Sequence, residues 1–227
     1  MGGRPMSRKL IAAMILGAGL LSAAEAPQRL EAAAEALIEV MSIPDRSIPQ
    51  ELLARAECII IVPDLKKGAF IFGAKYGRGF ASCRNGSGVG WSAPGAVRVE
   101  GGSFGFQIGG SETDVFMLIM NKRGMDRLLT TKFTLGGEAS AAAGPVGRTT
   151  QAETDAAMTA EILTWSRSRG LFAGVSLQGA TLREDLDWNQ ELYGKRVGNR
   201  DVIRAGQTTP ASAAKLMAEL NRYSSRR

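Results

Sequence analysis

The 227-residue sequence predicts an α+β domain: a curled, barrel-like antiparallel β-sheet of short, glycine-rich strands with flanking helices. Three observations lead there. Apolar residues recur at helical spacing towards both ends of the chain and at strand spacing between them. Turn signals punctuate the middle at short intervals. Glycine, 28 residues in all, recurs inside apolar strands rather than in linker blocks, as in Gly101-Gly102-Ser103-Phe104-Gly105-Phe106-Gln107-Ile108-Gly109-Gly110. Strand-interior glycine marks bulges, tight curvature or close backbone approach.

The elements follow in chain order. Arg4, Arg8 and Lys9, the apolar run from Leu10 to Leu21, and Ser22-Ala23-Ala24 have the charged, apolar, small-residue order of a secretory signal peptide. The run is shorter than the ~20 residues of a spanning helix, so residues 1–24 read as a removable signal and the mature chain as periplasmic or secreted. Residues 28–42 place Leu30, Ala34, Leu37, Ile38 and Met41 at helical spacing. That face packs on the domain or, in the sharper reading, lies in a membrane interface, although Glu31, Glu35 and Glu39 make the polar side acidic. Ser47 is read as the cap of a short helix ending near Ala56. Strands at 58–62, 68–76 and 80–84 are separated by turns at 63–67 and 77–79, with a third turn at 85–88, and a meander is the simplest topology. Residues 91–99, 102–108 and 114–120 continue the strand pattern. Asn121 caps a short helix through Leu129; 133–135 and 139–143 return to extended chain. Thr150 with Glu153 fits a capping box, yet 162–167 looks like a strand whose hairpin partner is 171–177. Residues 182–193 and 211–223 read as helices.

Charge divides this chain unevenly. The whole sequence carries 28 Lys and Arg against 22 Asp and Glu, a net of +6. Without residues 1–24 the balance is 25 against 22, or +3, so half the apparent basicity belongs to the signal. Residues 25–194 read as one mildly acidic domain and 195–227 as a basic, partly helical tail. A dedicated nucleic-acid binder would concentrate its basic patch on the domain, so no nucleic-acid partner is expected. Contact with anionic lipid remains open.

The sequence has no histidine, which removes Ser-His-Asp and Cys-His catalysis, His-ligated metal sites and the commonest general base. No glycine run is followed by Lys-Ser or Lys-Thr as a P-loop requires. Asp185, Asp187, Asn189 and Glu191 alternate like a calcium loop but lack its glycine at the sixth position. Glu112 and Asp114 lie beside a turn with no matching pocket carboxylate evident. No catalytic residue, cofactor or metal is therefore assigned. Two cysteines are too few for a structural zinc site; in an oxidising compartment Cys58 and Cys83 can bridge, the other reading being two buried thiols. Basic residues gather near turns: Lys66, Lys67, Arg78, Lys122, Arg123, Arg148, Arg167 and Arg169. If those turns share one end of the sheet they form a phosphate-binding rim; otherwise they are scattered solvated charge.

An ordered set of motifs carries a resemblance. Lys67-Gly68-Ala69-Phe70, Trp91-Ser92-Ala93-Pro94, Gly101-Gly102-Ser103-Phe104-Gly105 with Gln107 and Gly109, and Thr113-Asp114-Val115 are followed by Ala143-Gly144-Pro145-Val146-Gly147-Arg148. Ser166-Arg167-Ser168-Arg169-Gly170-Leu171-Phe172-Ala173-Gly174 and Leu192-Tyr193-Gly194 complete it. Over residues 30–194 the chain resembles the SYLF (Ysc84) family. The resemblance implies a lipid-binding domain rather than an enzyme, with membrane contact through an amphipathic N-terminal helix and basic residues. Lys66 and Lys67, with Arg148, Arg167 and Arg169, are the candidates for contact with an anionic phospholipid membrane. Actin, a partner of some eukaryotic members, is not expected for an exported chain. The expectation is thus an exported, peripherally membrane-associated domain binding anionic phospholipid. Its alternative is an envelope module that binds a protein partner.

Overall fold

Every residue from Cys58 to Val62 is buried, because the strand they form lies in a sheet covered on both faces. Side chains alternate across a strand. Ile59 and Ile61 therefore join Phe80, Phe116, Leu118, Leu163 and Trp165 in one apolar cluster, while Cys58, Ile60 and Val62 join Val97, Val115, Met117 and Ile119 in another. The computed structural model describes residues 25–44, 47–69, 72–104, 109–146, 159–168 and 171–224. The expected signal peptide and the capping box at Thr150 and Glu153 lie outside the described residues.

Among the described residues the strands are β1 (Cys58–Ala69), β2 (Phe72–Cys83), β3 (Gly95–Phe104), β4 (Gly109–Ile119), β5 (Lys132–Thr134), β6 (Ala141–Ala143), β7 (Ile162–Ser168), β8 (Leu171–Gly174) and β9 (Thr181–Glu184). They form one strongly curled, half-barrel sheet in the order β5-β9-β3-β2-β1-β4-β7-β6, with β8 pairing β7. The fold is α+β as expected, with two refinements of topology. Only β1-β2-β3 is a meander; β4 returns to the free edge of β1, and β6 runs parallel to β7, so the sheet is mixed.

Among the described residues the α-helices named here are α1 (Glu25–Ser42), α2 (Gln50–Arg55), α3 (Lys122–Leu128), α4 (Leu186–Tyr193), α5 (Asn199–Arg204) and α6 (Ala214–Ser224). The first cluster lies under α1, α2, α4 and α6; the second is closed by α3 and α5. Asn121 caps α3 as its sequence suggests, its side-chain oxygen accepting from the Gly124 N–H at 2.9 Å. Ser47 does not cap α2: the cap is Pro49, with no side-chain hydrogen bond. Residues 195–224, read as a partly helical tail, are joined to the core. They contribute α5 and α6, and Leu216, Met217 and Leu220 are buried in the first cluster.

Two expected turns are corrected, and with them the start of one helix. Residues 63–67 are not a turn; β1 runs through them with a bulge, where Asp64 takes a left-handed φ of 49° and the register shifts between Val62 and Leu65. Residues 77–79 are not a turn either. A Cβ on Gly79 would lie 2.1 Å from the Ile61 carbonyl oxygen and one on Gly77 2.7 Å from Val62 Cγ1, so these glycines admit the bulged strand at close range. The chain reverses instead inside the segment read as a single strand at 68–76, with Ala69 paired to Gly73. Likewise residues 181–184 are strand β9, and the helix begins only after Asp185, whose carboxylate accepts from the Trp188 N–H.

Candidate functional site

Strand directions bring the candidate residues together. β1, β3 and β7 run one way and β2, β4 and β8 the other, so the β1–β2, β3–β4 and β7–β8 connections all turn at the same end of the sheet. The register there descends in rungs. Lys67 stands opposite Lys75 and Ser111; the next rung holds Lys66, Tyr76 and Glu112; two further down, Asp114 stands opposite Arg167.

Lys67 and Lys75 are the feature of interest. Directly opposed like charges destabilise a strand pair, and among the described residues no carboxylate forms an ion pair with either. Burial, and then Lys75 opposite, push the Lys67 ammonium below its ordinary value. Two partly buried lysines opposed in register make a site that an anion would relieve. Lys66, one rung away, is exposed and meets Glu112 only at 3.9 Å, a surface contact of little energetic weight.

Arg167 is differently placed. Its Nε and Nη2 donate to Asp114 Oδ2 at 2.9 and 2.5 Å, and its Nη1 pairs with Glu39 of α1. Asp114 Oδ1 also accepts from the Asp64 N–H at 3.0 Å, which fastens the bulge. Arg29 of α1 reaches the same bulge, donating to Asp64 Oδ2 at 2.9 Å and the Pro63 carbonyl at 3.2 Å. Burial pushes the Asp114 carboxyl up and the Arg167 guanidinium down, so short bonds hold this pair against a desolvation cost. The group binds helix to sheet, and Arg167 is committed to it. Arg148 and Arg169 lie outside the described residues.

The acidic face of α1 is occupied in the same way: Glu25 meets Arg78, Glu31 and Glu35 meet Lys215 of α6, and Glu39 meets Arg167. On its other face Leu30, Ala33, Ala34, Leu37 and Val40 are wholly buried. The alternative of a helix lying in a membrane interface is therefore not the arrangement found; α1 is packed on the domain. Arg78 is likewise engaged, donating from Nε and Nη2 to the buried Asp185 at 2.6 and 3.0 Å while its guanidinium lies 4.1 Å over the Trp188 ring.

The sequence reading missed Lys75. Its signal was present: Lys67 and Lys75 are equidistant from the middle of Gly68-Ala69-Phe70-Ile71-Phe72-Gly73-Ala74, so a hairpin centred there opposes them. Cys58 and Cys83, also direct partners on β1 and β2, are joined by a disulfide and fully buried. Among the described residues there is no group of three or more Cys, Asp or Glu side chains placed to hold a metal ion, and no helix is long and apolar enough to cross a membrane.

Comparison with known proteins adds an independent line. The family model described as "Ysc84: Las17-binding protein actin regulator" matches residues 100–223, from within β3 into the last turn of α6. SH3 domain-containing YSC84-like protein 1 of Bos taurus is 32% identical over 181 residues, 79% of this chain and 52% of that protein. Its Homo sapiens counterpart is 33% identical over the same shares. Protein YSC84 of Saccharomyces cerevisiae is 33% identical over 177 residues, covering 76% of this chain and 37% of its own length. The chain spans about half the length, or less, of the curated relatives it matches. None of these relatives carries the name of an enzyme.

Proposed function

Since this chain belongs to the Ysc84 (SYLF) family, we propose that it is a non-enzymatic, exported domain that binds anionic phospholipid at a membrane surface, through the hairpin end of its sheet. The observation that carries this is the Lys67–Lys75 rung, where two lysines stand opposite each other and neither forms an ion pair with a carboxylate among the described residues. An anionic headgroup supplies the missing counter-charge, and Lys66 beside the rung adds a third cation. Lysines near an anionic bilayer contribute about 1 kcal/mol each, so the three together account for affinity changes of roughly a hundredfold.

The test is co-sedimentation of the chain with vesicles of phosphatidylcholine alone and of phosphatidylcholine with phosphatidylglycerol or cardiolipin. Recovery should require the anionic lipid, fall with added salt, and be lost in a Lys67→Glu, Lys75→Glu double variant. Equal, salt-insensitive recovery with neutral vesicles would overturn the electrostatic reading.

A second reading is favoured by the words of the family description, which name a protein partner and actin regulation. In that reading the same end of the sheet meets a protein. Actin filaments, which the sequence reading does not expect as a partner, belong in the same sedimentation assay. Filament binding without vesicle binding would replace the lipid reading with this one.

A further inference from the structure

Three large apolar side chains are conspicuously exposed among the described residues: Tyr76 at 45%, Val89 at 57% and Leu171 at 66%. Singly, such residues are ordinary. Their placement is not random. Tyr76 shares its rung with Lys66 and Glu112. Leu171 opens β8 opposite Ser168, one residue beyond the Asp114–Arg167 rung, and the Ser168 hydroxyl donates to the Glu112 carbonyl at 3.3 Å. Leu171, Tyr76 and the Lys67–Lys75 pair thus occupy three successive rungs, about 7 Å along the strands. From Lys75 on β2 across β1, β4 and β7 to Leu171 on β8 is four strand spacings, roughly 20 Å. Val89 lies between β2 and β3, at the opposite end of the sheet.

We propose that Tyr76 and Leu171 are the apolar part of a membrane contact, so that the domain stands on an anionic bilayer with its hairpin end down. Lys66, Lys67 and Lys75 meet headgroup phosphates and Tyr76 lies at headgroup level; because Leu171 stands about 7 Å farther from the hairpin end across roughly 20 Å of sheet, a tilt of more than about 20° towards β8 carries it to the acyl boundary. A tyrosine suits that level because its ring is apolar and its hydroxyl stays wet. The two apolar residues come from opposite faces of the sheet, Tyr76 from the face carrying Arg78 and Phe80 and Leu171 from the other, so what they share is the sheet's end. This inference rests on the lipid reading and adds to it an orientation and a component that salt does not screen.

The test uses the full chain and places a tryptophan at either end of the sheet, Leu171→Trp or Val89→Trp. The native Trp91, Trp165 and Trp188 are buried, so each variant is read as its difference from wild type. With phosphatidylglycerol vesicles containing phosphatidylcholine brominated on its acyl chains, Leu171→Trp should shift to the blue and be quenched, and Val89→Trp should do neither. In a companion measurement Leu171→Ser should leave Tm unchanged and weaken vesicle binding at high salt, where the charge contribution is screened, on the order of tenfold. Vesicle binding with equal quenching of the two tryptophans, or with Leu171→Ser indistinguishable from wild type, would overturn the insertion while leaving the lipid reading standing. Failure to co-sediment with anionic vesicles would overturn both.

Discussion

Replacing Leu37 by alanine separates two roles for the first helix. Leu37 has 0% exposure and sits among Leu30, Val40, Ile59 and Phe116 in the cluster between α1 and the sheet. Deleting a buried leucine side chain costs the lost transfer energy plus a cavity, about 3 kcal/mol and up to 5. For a domain of this size about 3 kcal/mol lowers Tm by roughly 6–12 °C. Peeling the whole helix away would cost far more. Leu30, Leu37 and Val40 alone represent about 5–9 kcal/mol at 1.5–3 kcal/mol each, comparable with the entire stability of a typical domain. Urea melts of Leu37→Ala followed by circular dichroism should show the midpoint fall with an unchanged slope. Below its own Tm, the variant should bind anionic vesicles as wild type does. A variant with a wild-type melt and defective vesicle binding would refute this reasoning, because it would mean that α1 serves the membrane and not the core.

Three further outcomes follow from particular contacts. The Cys58–Cys83 bridge closes a loop with a sequence separation of 25; in the chain-entropy picture its loss costs about 3.5 kcal/mol, read as a lower urea midpoint for the double serine variant. Thiol labelling of the unfolded, non-reduced chain should find no free thiol, and two labelled cysteines would refute the bridge. Gly79→Ala should destabilise by about 1–3 kcal/mol, since the new methyl would meet the backbone of Ile61 and Val62, which cannot swing aside like a side chain; an unchanged melt would show that the strands are not so close. Because Lys67 is held below its ordinary 10.5, first by burial and then by Lys75, the folded chain releases this proton before the unfolded one. Charged Lys67 therefore lowers stability, and that cost fades as pH rises through the depressed value. Over the same interval, below 10.5, wild type should bind vesicles about fivefold more weakly, while Lys67→Arg, which stays charged, should not weaken. Parallel decline of the two would remove Lys67 from the contact.

Much of this was legible in the residues. A continuous apolar run marked the buried strand at β1, helical apolar spacing the amphipathic α1 and Asn121 the capped α3, because burial and capping are written in neighbouring residues. The ordered motifs identified the family. Less legible was where strands break: Pro63, Asp64, Gly77 and Gly79 are turn-type residues used here for a bulge and for close approach. Their role is set by what lies across the sheet. The C-terminal segment looked like a tail because its charges are visible in sequence, whereas the pocket for Leu216 and Leu220 is made by other elements.

By itself, then, the sequence determined the class of fold, the family, the absence of histidine chemistry and the set of cations from which a contact could be drawn. Which of those cations are spent on structure was decided only by the tertiary fold. Arg167 and Arg78 are consumed by Asp114, Glu39 and Asp185, all distant in the chain, while Lys67 and Lys75 are set against each other by a hairpin register. The physical reason is that a charge acts over a few ångströms, and those neighbours are chosen by register and packing rather than by position along the chain.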